Sequence, residues 1–177
     1  METLTVTLGK TIGNSAFKGC SSLKDVSFYK TSASSIQTPT YTNANSPFNG
    51  CPIESLYVDD NSFLNGVGRV NTLFGSGIKN LSIGESVTTI VSRALKSLVN
   101  LQSLTVPFVG TSKTATGQNR SMGAIFGTET YGTIGTTTYK AVYEGSNPSS
   151  FSDDIAFIIP MSLTTINVTS ESGKLPD

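Results

Sequence analysis

The chain has 177 residues, 37% of them hydrophobic and only 14% charged, with 12 basic groups balancing 12 acidic ones for a formal net charge of zero. That length and apolar content support one domain with a real core, while the neutral balance supplies no field to draw the protein to nucleic acid or an anionic membrane. Histidine is absent, which removes the commonest general base, the usual partner of a Ser or Cys nucleophile and the commonest zinc ligand.

Ser and Thr together exceed a quarter of the chain, alongside 17 Gly and no Trp, a mix that favours strands, turns and polar loops over helical bundles. No apolar run approaches the roughly 20 residues of a membrane helix. The opening Met1-Glu2-Thr3-Leu4 lacks the basic and apolar regions of a signal peptide. Val6 and Leu8 then read as a short strand.

The clearest unit runs from Thr11 to Phe28. Ile12, Ala16, Phe17 and Cys20 lie three or four apart, which predicts one or two helical turns with one apolar stripe. Val26 and Phe28 then alternate with Asp25 and Ser27, which predicts a strand. The unit recurs at a constant offset of 78 residues, from Ile12 to Ile90: Ala94, Leu95, Leu98, Leu101, Leu104 and Val106 stand where Ala16, Phe17, Cys20, Leu23, Val26 and Phe28 stand. Such a unit cannot bury its apolar edge alone, and stacking copies solves the problem.

The strand half also recurs at Ile53, Leu56 and Val58, at Ile78, Leu81 and Ile83, and at Leu163, Ile166 and Val168. Taking Val6, Val26, Leu56, Leu81, Leu104 and Ile166 as equivalent, successive gaps are 20, 30, 25, 23 and 62 residues, mostly in or near the range expected of leucine-rich repeats. The excesses place insertions at about 29–47 and 108–157. Within the second, Gly123-Ala-Ile-Phe-Gly127 resembles the Ala-Phe start of a repeat, and Thr136 to Glu144 predicts an extra strand, half of a hairpin.

The motif Ile12-Gly13, Ala16-Phe17, Gly19-Cys20, Ser21-Ser22-Leu23 and Val26-Ser27-Phe28 resembles the BspA-type leucine-rich repeat of surface proteins in gut and oral bacteria and some parasitic protists. The first and fourth copies carry it best; the second and third are eroded. The resemblance implies an α+β repeat fold: a right-handed leucine-rich-repeat solenoid of short stacked β-strands with short helical turns and an inserted β-rich loop. Residues 1–177 then form one such solenoid. Gly173-Lys-Leu-Pro-Asp177 reads as the opening of a further copy, so the chain is expected to be a piece of a longer one.

Candidate sites are few. Cys20 and Cys51 take equivalent positions in neighbouring copies, where the fourth copy has Leu98, so both are expected to be small buried hydrophobes, with a disulfide left open by their adjacency. Asp59-Asp60-Asn61 and Asp153-Asp154 lack the spacing of a calcium loop and are read as solvated carboxylates. Gly66, Gly68 and Gly75 form no phosphate loop and are read as turn residues. Asn80, Asn119 and Asn167 head glycosylation-like triplets, expected by chance in so Ser/Thr-rich a chain. No catalytic residue, metal site or cofactor is assigned.

What remains is a surface. The outward strand positions form three rows, from which Lys24, Asp25, Ser27, Glu54, Tyr57, Lys79, Asn80, Ser82, Gln102 and Thr105 are the candidate binding residues; Thr164, Ser55, Ser103, Thr165 and Asn167 complete the rows. Tyr57 is the one aromatic among them. Tyr131, Tyr139 and Tyr143 of the second insertion offer another surface. The resemblance implies a non-catalytic, monomeric adhesion or protein-interaction module, extracellular or at the cell surface, whose partner is a protein or glycan of a host or neighbouring cell. The alternatives are a spacer segment of a larger surface protein and, remotely, a polysaccharide hydrolase. The last needs two converging acids, and the rows offer only Asp25 and Glu54.

Overall fold

The computed structural model describes residues 1–8, 12–30, 42, 44–130, 139–142 and 155–169. Six strands, β1 (Thr3–Leu8), β2 (Asp25–Lys30), β3 (Ser55–Val58), β4 (Asn80–Ile83), β5 (Ser103–Val106) and β9 (Thr165–Val168), pair side by side in that order. Every pairing is parallel. The register aligns Leu4, Val26, Leu56, Leu81, Leu104 and Ile166 in one row. Parallel neighbours of this kind need a crossover between them, and the described parts of those between β1 and β5 are mostly turns and short helical segments.

The alignment corrects one expectation. Leu4, not Val6, partners Val26, and Val6 partners Phe28. Either choice keeps an apolar residue inward, because a slip of two preserves the facing, so the sequence pattern does not distinguish them.

Three interior columns run across the repeats. Leu23, Ile53, Ile78, Leu101 and Leu163 occupy the corner before each strand; Val26, Leu56, Leu81 and Leu104 follow; Phe28, Val58, Ile83 and Val106 complete the set, and all are buried. The outermost strands are less covered: Leu4 and Val6 are half-buried, and Ile166 is 42% exposed. Phe28 anchors an aromatic cluster, with ring centroids 4.6 Å from Phe63, 5.8 Å from Phe74 and 6.0 Å from Phe48.

The turn halves differ from the predicted helical stripe. Residues 14–19 form successive turns in which alternate amides point two ways. Ala16, Lys18 and Cys20 donate within their own copy, to Gly13, Ser15 and Phe17, whereas Ser15, Phe17 and Gly19 donate to Asn45, Pro47 and Asn49 of the next copy. Half of the donors are spent sideways, so an i to i−4 helix cannot form. The fourth copy repeats this, with Arg93 and Leu95 donating to Ala124 and Ile125. Helices occur instead in the third copy, α1 (Arg69–Phe74), and in α2 (Met122–Phe126). Because α2 supplies the carbonyls that receive Arg93 and Leu95, Gly123 to Gly127 takes the place of the next Ala-Phe element.

The sideways ladder needs left-handed backbone at fixed points. Gly19 (φ 74°) and Gly50 (φ 80°) meet that need, and Ser97, at the position equivalent to Gly19, adopts φ 71° with a side chain present.

After β5 the chain makes a long excursion before β9 takes the next place in the sheet. It includes a three-stranded antiparallel sheet in which β8 (Ile155–Pro160) lies between β6 (Thr128–Thr130) and β7 (Tyr139–Val142). The predicted extra strand is thus observed over Tyr139–Val142; the rest of Thr136 to Glu144 lies outside the described residues. Gly123 permits α2 to pack on β8, since a β-carbon there would sit 2.5 Å from Phe157 Cβ. Ser162 Oγ donates to the carbonyls of Val99 and Leu101 at 2.8 and 2.7 Å, fastening the chain where it returns to the repeat sheet.

Two stability changes follow. Phe28→Ala is expected to cost about 3–5 kcal/mol in urea unfolding. Ser97→Gly is expected to stabilise by ~0.5–1 kcal/mol, the relief of left-handed strain less the added freedom of the unfolded chain.

Candidate functional site

The outward face of the parallel sheet is built by a recurring hydrogen-bond fork. At each strand entrance two consecutive amides donate to one carbonyl of the preceding copy: Glu54 and Ser55 to Lys24, Lys79 and Asn80 to Glu54, Gln102 and Ser103 to Lys79, Thr164 and Thr165 to Gln102. Lys24 and Asp25 do the same to Glu2. The fork sets the position of each entering residue, so Lys24, Glu54, Lys79, Gln102 and Thr164 follow one another across the sheet.

The next outward rows come from the strand register. Asp25, Ser55, Asn80, Ser103 and Thr165 align, as do Ser27, Tyr57, Ser82, Thr105 and Asn167. Their side chains are mostly half-buried or exposed, as expected for one solvent-facing side of a sheet.

Within the entrance row, Lys79 Nζ and Glu54 Oε2 form an ion pair at 3.0 Å, with side-chain exposures of 43% and 40%. The hydrogen bond and charge of Lys79 hold the Glu54 carboxyl below its ordinary pKa. A shallow groove of about 400 Å³ borders this pair, lined also by Ile53, Gly77, Gln102 and Ser162. Exposed pairs of this type contribute little to stability, so their weight lies in the charge pattern of the face.

At the other end of the strands the structure reveals a partner for Tyr57. The alternation of Asp25 and Ser27 continues outward to Tyr29, whose ring centroid lies 4.8 Å from that of Tyr57 at an interplanar angle of 35°. Tyr29 is 43% exposed. Tyr57 is therefore not the one aromatic of the face, and the first insertion does not begin at Tyr29, because β2 extends through Lys30. Extending the period-2 pattern by one more step would have found Tyr29 in the sequence.

Asp59 and Glu85 adjoin the tyrosine pair. Burial raises the Tyr57 pKa, and the charges of Asp59 and Glu85 and the neighbouring Tyr29 raise it further. The Asp59 carboxylate accepts from Ser86 N at 2.8 Å and from Ser86 Oγ at 3.0 Å, and Glu85 accepts from Thr169 Oγ1. Gly84 makes the approach possible, since a β-carbon there would lie 2.6 Å from the Tyr57 hydroxyl.

Asp60 is not a solvated carboxylate. It is 2% exposed and accepts from Ser62 N at 2.8 Å, capping a single 3-10 turn over Asn61–Phe63, where a short acidic side chain satisfies an otherwise orphaned amide. Asp153 and Asp154 lie outside the described residues, and among those described no three His, Cys, Asp or Glu side chains gather as metal ligands would. Gly68 and Gly75 flank α1 with φ of 59° and 85°, in keeping with turn roles. Asn80 and Asn167 lie on β4 and β9, and Asn119 in a 3-10 turn over Gly117–Arg120.

Cys20 and Cys51 are free and half-buried, whereas Leu98 is fully buried. Both cysteines pack against the core as equivalence with Leu98 suggested, but only in part, because the first copies are less covered on this side: Ala16 is exposed where Ala94 is buried. Of the insertion tyrosines, Tyr139 lies on β7, and Tyr131 and Tyr143 lie outside the described residues.

A family model described as the BspA type Leucine rich repeat region matches residues 3–115 in six copies. The chain belongs to the BspA-type leucine-rich repeat family. Proteins built on BspA-type repeats are generally non-enzymatic, usually surface-associated, and use the repeat as a module typical of protein interaction. Neither a curated protein nor a solved structure matches the chain. Among the described residues no helix is long and apolar enough to cross a membrane.

The Glu54–Lys79 pair supplies a pH test. Because the folded-state carboxyl value is lowered, its contribution is present above the ordinary carboxylate range and is lost as pH falls through the lowered value. Lys79→Ala is expected to move the Glu54 titration upward when followed by carboxyl-carbon NMR; an unchanged midpoint would remove Lys79 as the cause.

Proposed function

We propose that the protein is a non-catalytic, cell-surface interaction module that contacts a protein or glycan of another cell or of the surrounding matrix through the outward face of its parallel strands. In this reading the six strands belong to one right-handed leucine-rich-repeat solenoid acting as a monomer, and the excursion between β5 and β9 is an insertion into it. Family membership supports the class of function.

The observation that carries the placement is the Tyr29–Tyr57 pair. Aromatic side chains are enriched where partners meet, because they bury large area at small conformational cost. The rest of the face is Ser, Thr, Asn and a few opposed charges, so the two rings stand out as its anchor. The charged entrance row of Lys24, Glu54 and Lys79 adds orientation rather than affinity. The opposing observation is the row Ser55, Asn80, Ser103 and Thr165, small and polar throughout, which favours a spacer reading of the same sheet.

The test is a binding screen of the purified chain against matrix proteins and a glycan array. Saturable binding is expected, weakened about tenfold or more by Tyr29→Ala or Tyr57→Ala and less by Lys79→Ala. Binding untouched by either tyrosine change would move the contact off this face, and no saturable binding would favour the spacer.

A further inference from the structure

Cys20 and Cys51 stand at the same position of the first two copies as free thiols. Their backbones run side by side. Gly19 N–H donates to the Asn49 carbonyl at 2.9 Å, and a β-carbon on Gly50 would lie 3.7 Å from the Gly19 Cα. Each cysteine is the next residue along these two adjacent stretches. The Cys51 Sγ–H donates to the Phe17 carbonyl at 3.0 Å, and the Cys20 N–H donates to the same oxygen at 3.1 Å. One carbonyl therefore gathers the thiol of one copy and the main chain of the other.

The repeat spacing suits a covalent link. Three residues earlier in each copy, Phe17 and Phe48 stack nearly parallel with centroids 5.2 Å apart, about one strand spacing. A disulfide spans Cα separations of about 4.4–6.8 Å, and the 5.2 Å ring stacking three residues away sets the two copies at a spacing of that order. Both thiols are half-buried rather than sealed, so a small oxidant reaches them.

We propose that Cys20 and Cys51 form an oxidation site that closes, on reaction with a small-molecule disulfide, into a bond stapling the first copy to the second. In the first step one cysteine thiolate attacks a sulfur of oxidised glutathione, forming a mixed disulfide and releasing one glutathione. In the second, the other cysteine attacks the protein sulfur of that mixed disulfide and expels the remaining glutathione. Two protein thiols are oxidised, one glutathione disulfide is reduced to two thiols, and the two thiol protons end on the two glutathiones. Burial pushes the Cys51 thiol up, which lowers the share of Cys51 thiolate and slows its attack on a disulfide. The ring so closed runs from residue 20 to residue 51 and includes β2 with Tyr29, so the bond removes loop-closure freedom from that segment of the unfolded chain.

The experiment treats the full chain with excess oxidised glutathione. Both thiols are expected to vanish from thiol titration, with a mass loss of about 2 Da and no adduct. The product is expected to run as a monomer on non-reducing electrophoresis, with an unfolding midpoint raised by about 10 °C and restored by dithiothreitol. Cys51→Ser and Cys20→Ser are each expected to stop at one glutathione adduct, with no such rise. Two thiols still titratable, stable glutathione adducts on the unaltered chain, or disulfide-linked dimers would overturn the proposal; the unaltered chain alone decides this even if a variant folds poorly.

Discussion

Burial in this protein is shared between copies, and that constraint shapes everything else. Leu23, Val26 and Phe28 lie on one narrow edge of their copy and are closed over by Ile53, Leu56 and Val58, which in turn need Ile78, Leu81 and Ile83. A short strand and a few turns have too little area to exclude water from such an edge alone. Hydrogen bonding follows the same rule. The strands bond to neighbouring strands, the turns of the first and fourth copies bond sideways to the next copy, and the entrance fork ties two amides to one carbonyl of the previous copy. A copy is thus defined by its neighbours on two sides, and a change in one column is felt along the stack.

Much of this was legible in the residues because apolar identity repeats at fixed places. The columns headed by Leu23, Val26 and Phe28 could be listed before any geometry, and five of the six strands align as the spacing indicated. The first strand was misplaced by two residues, because Leu4 and Val6 are equally apolar and share a facing. The helical stripe from Ile12 to Cys20 misled for a different reason. Spacings of three and four also suit a chain of turns, and the competing demand, carbonyls of the next copy waiting for alternate amides, comes from a segment remote in sequence. Ser97 in left-handed backbone was equally hidden, although its alignment with Gly19 carried the clue.

The surface was legible in part. Two of the three outward rows follow from strand register and the third from the fork, so the neighbours of Tyr57, Lys79 and Glu54 were foreseeable from the alignment. The Tyr29 contact needed the true end of β2, two residues past where the apolar pattern stops. Asp60 shows the reverse error: an acidic pair in a polar stretch reads as solvated, yet one of the two caps the turn that contains Phe63. The face that results is small and polar along most of its length, with aromatic area at one end and opposed charges at the other. That asymmetry gives the sheet a direction that the repeat itself does not supply.

The most direct test of shared burial is the continuity of the central column, measured as methyl-to-methyl nuclear Overhauser contacts in selectively labelled protein. The result expected is an unbroken series from Val26 to Leu56, Leu56 to Leu81, and Leu81 to Leu104, each between neighbours in the sheet order. A missing link in that series, or Val26 contacting Leu81 or Leu104 in place of Leu56, would contradict the shared burial on which the fold and its outward face both rest.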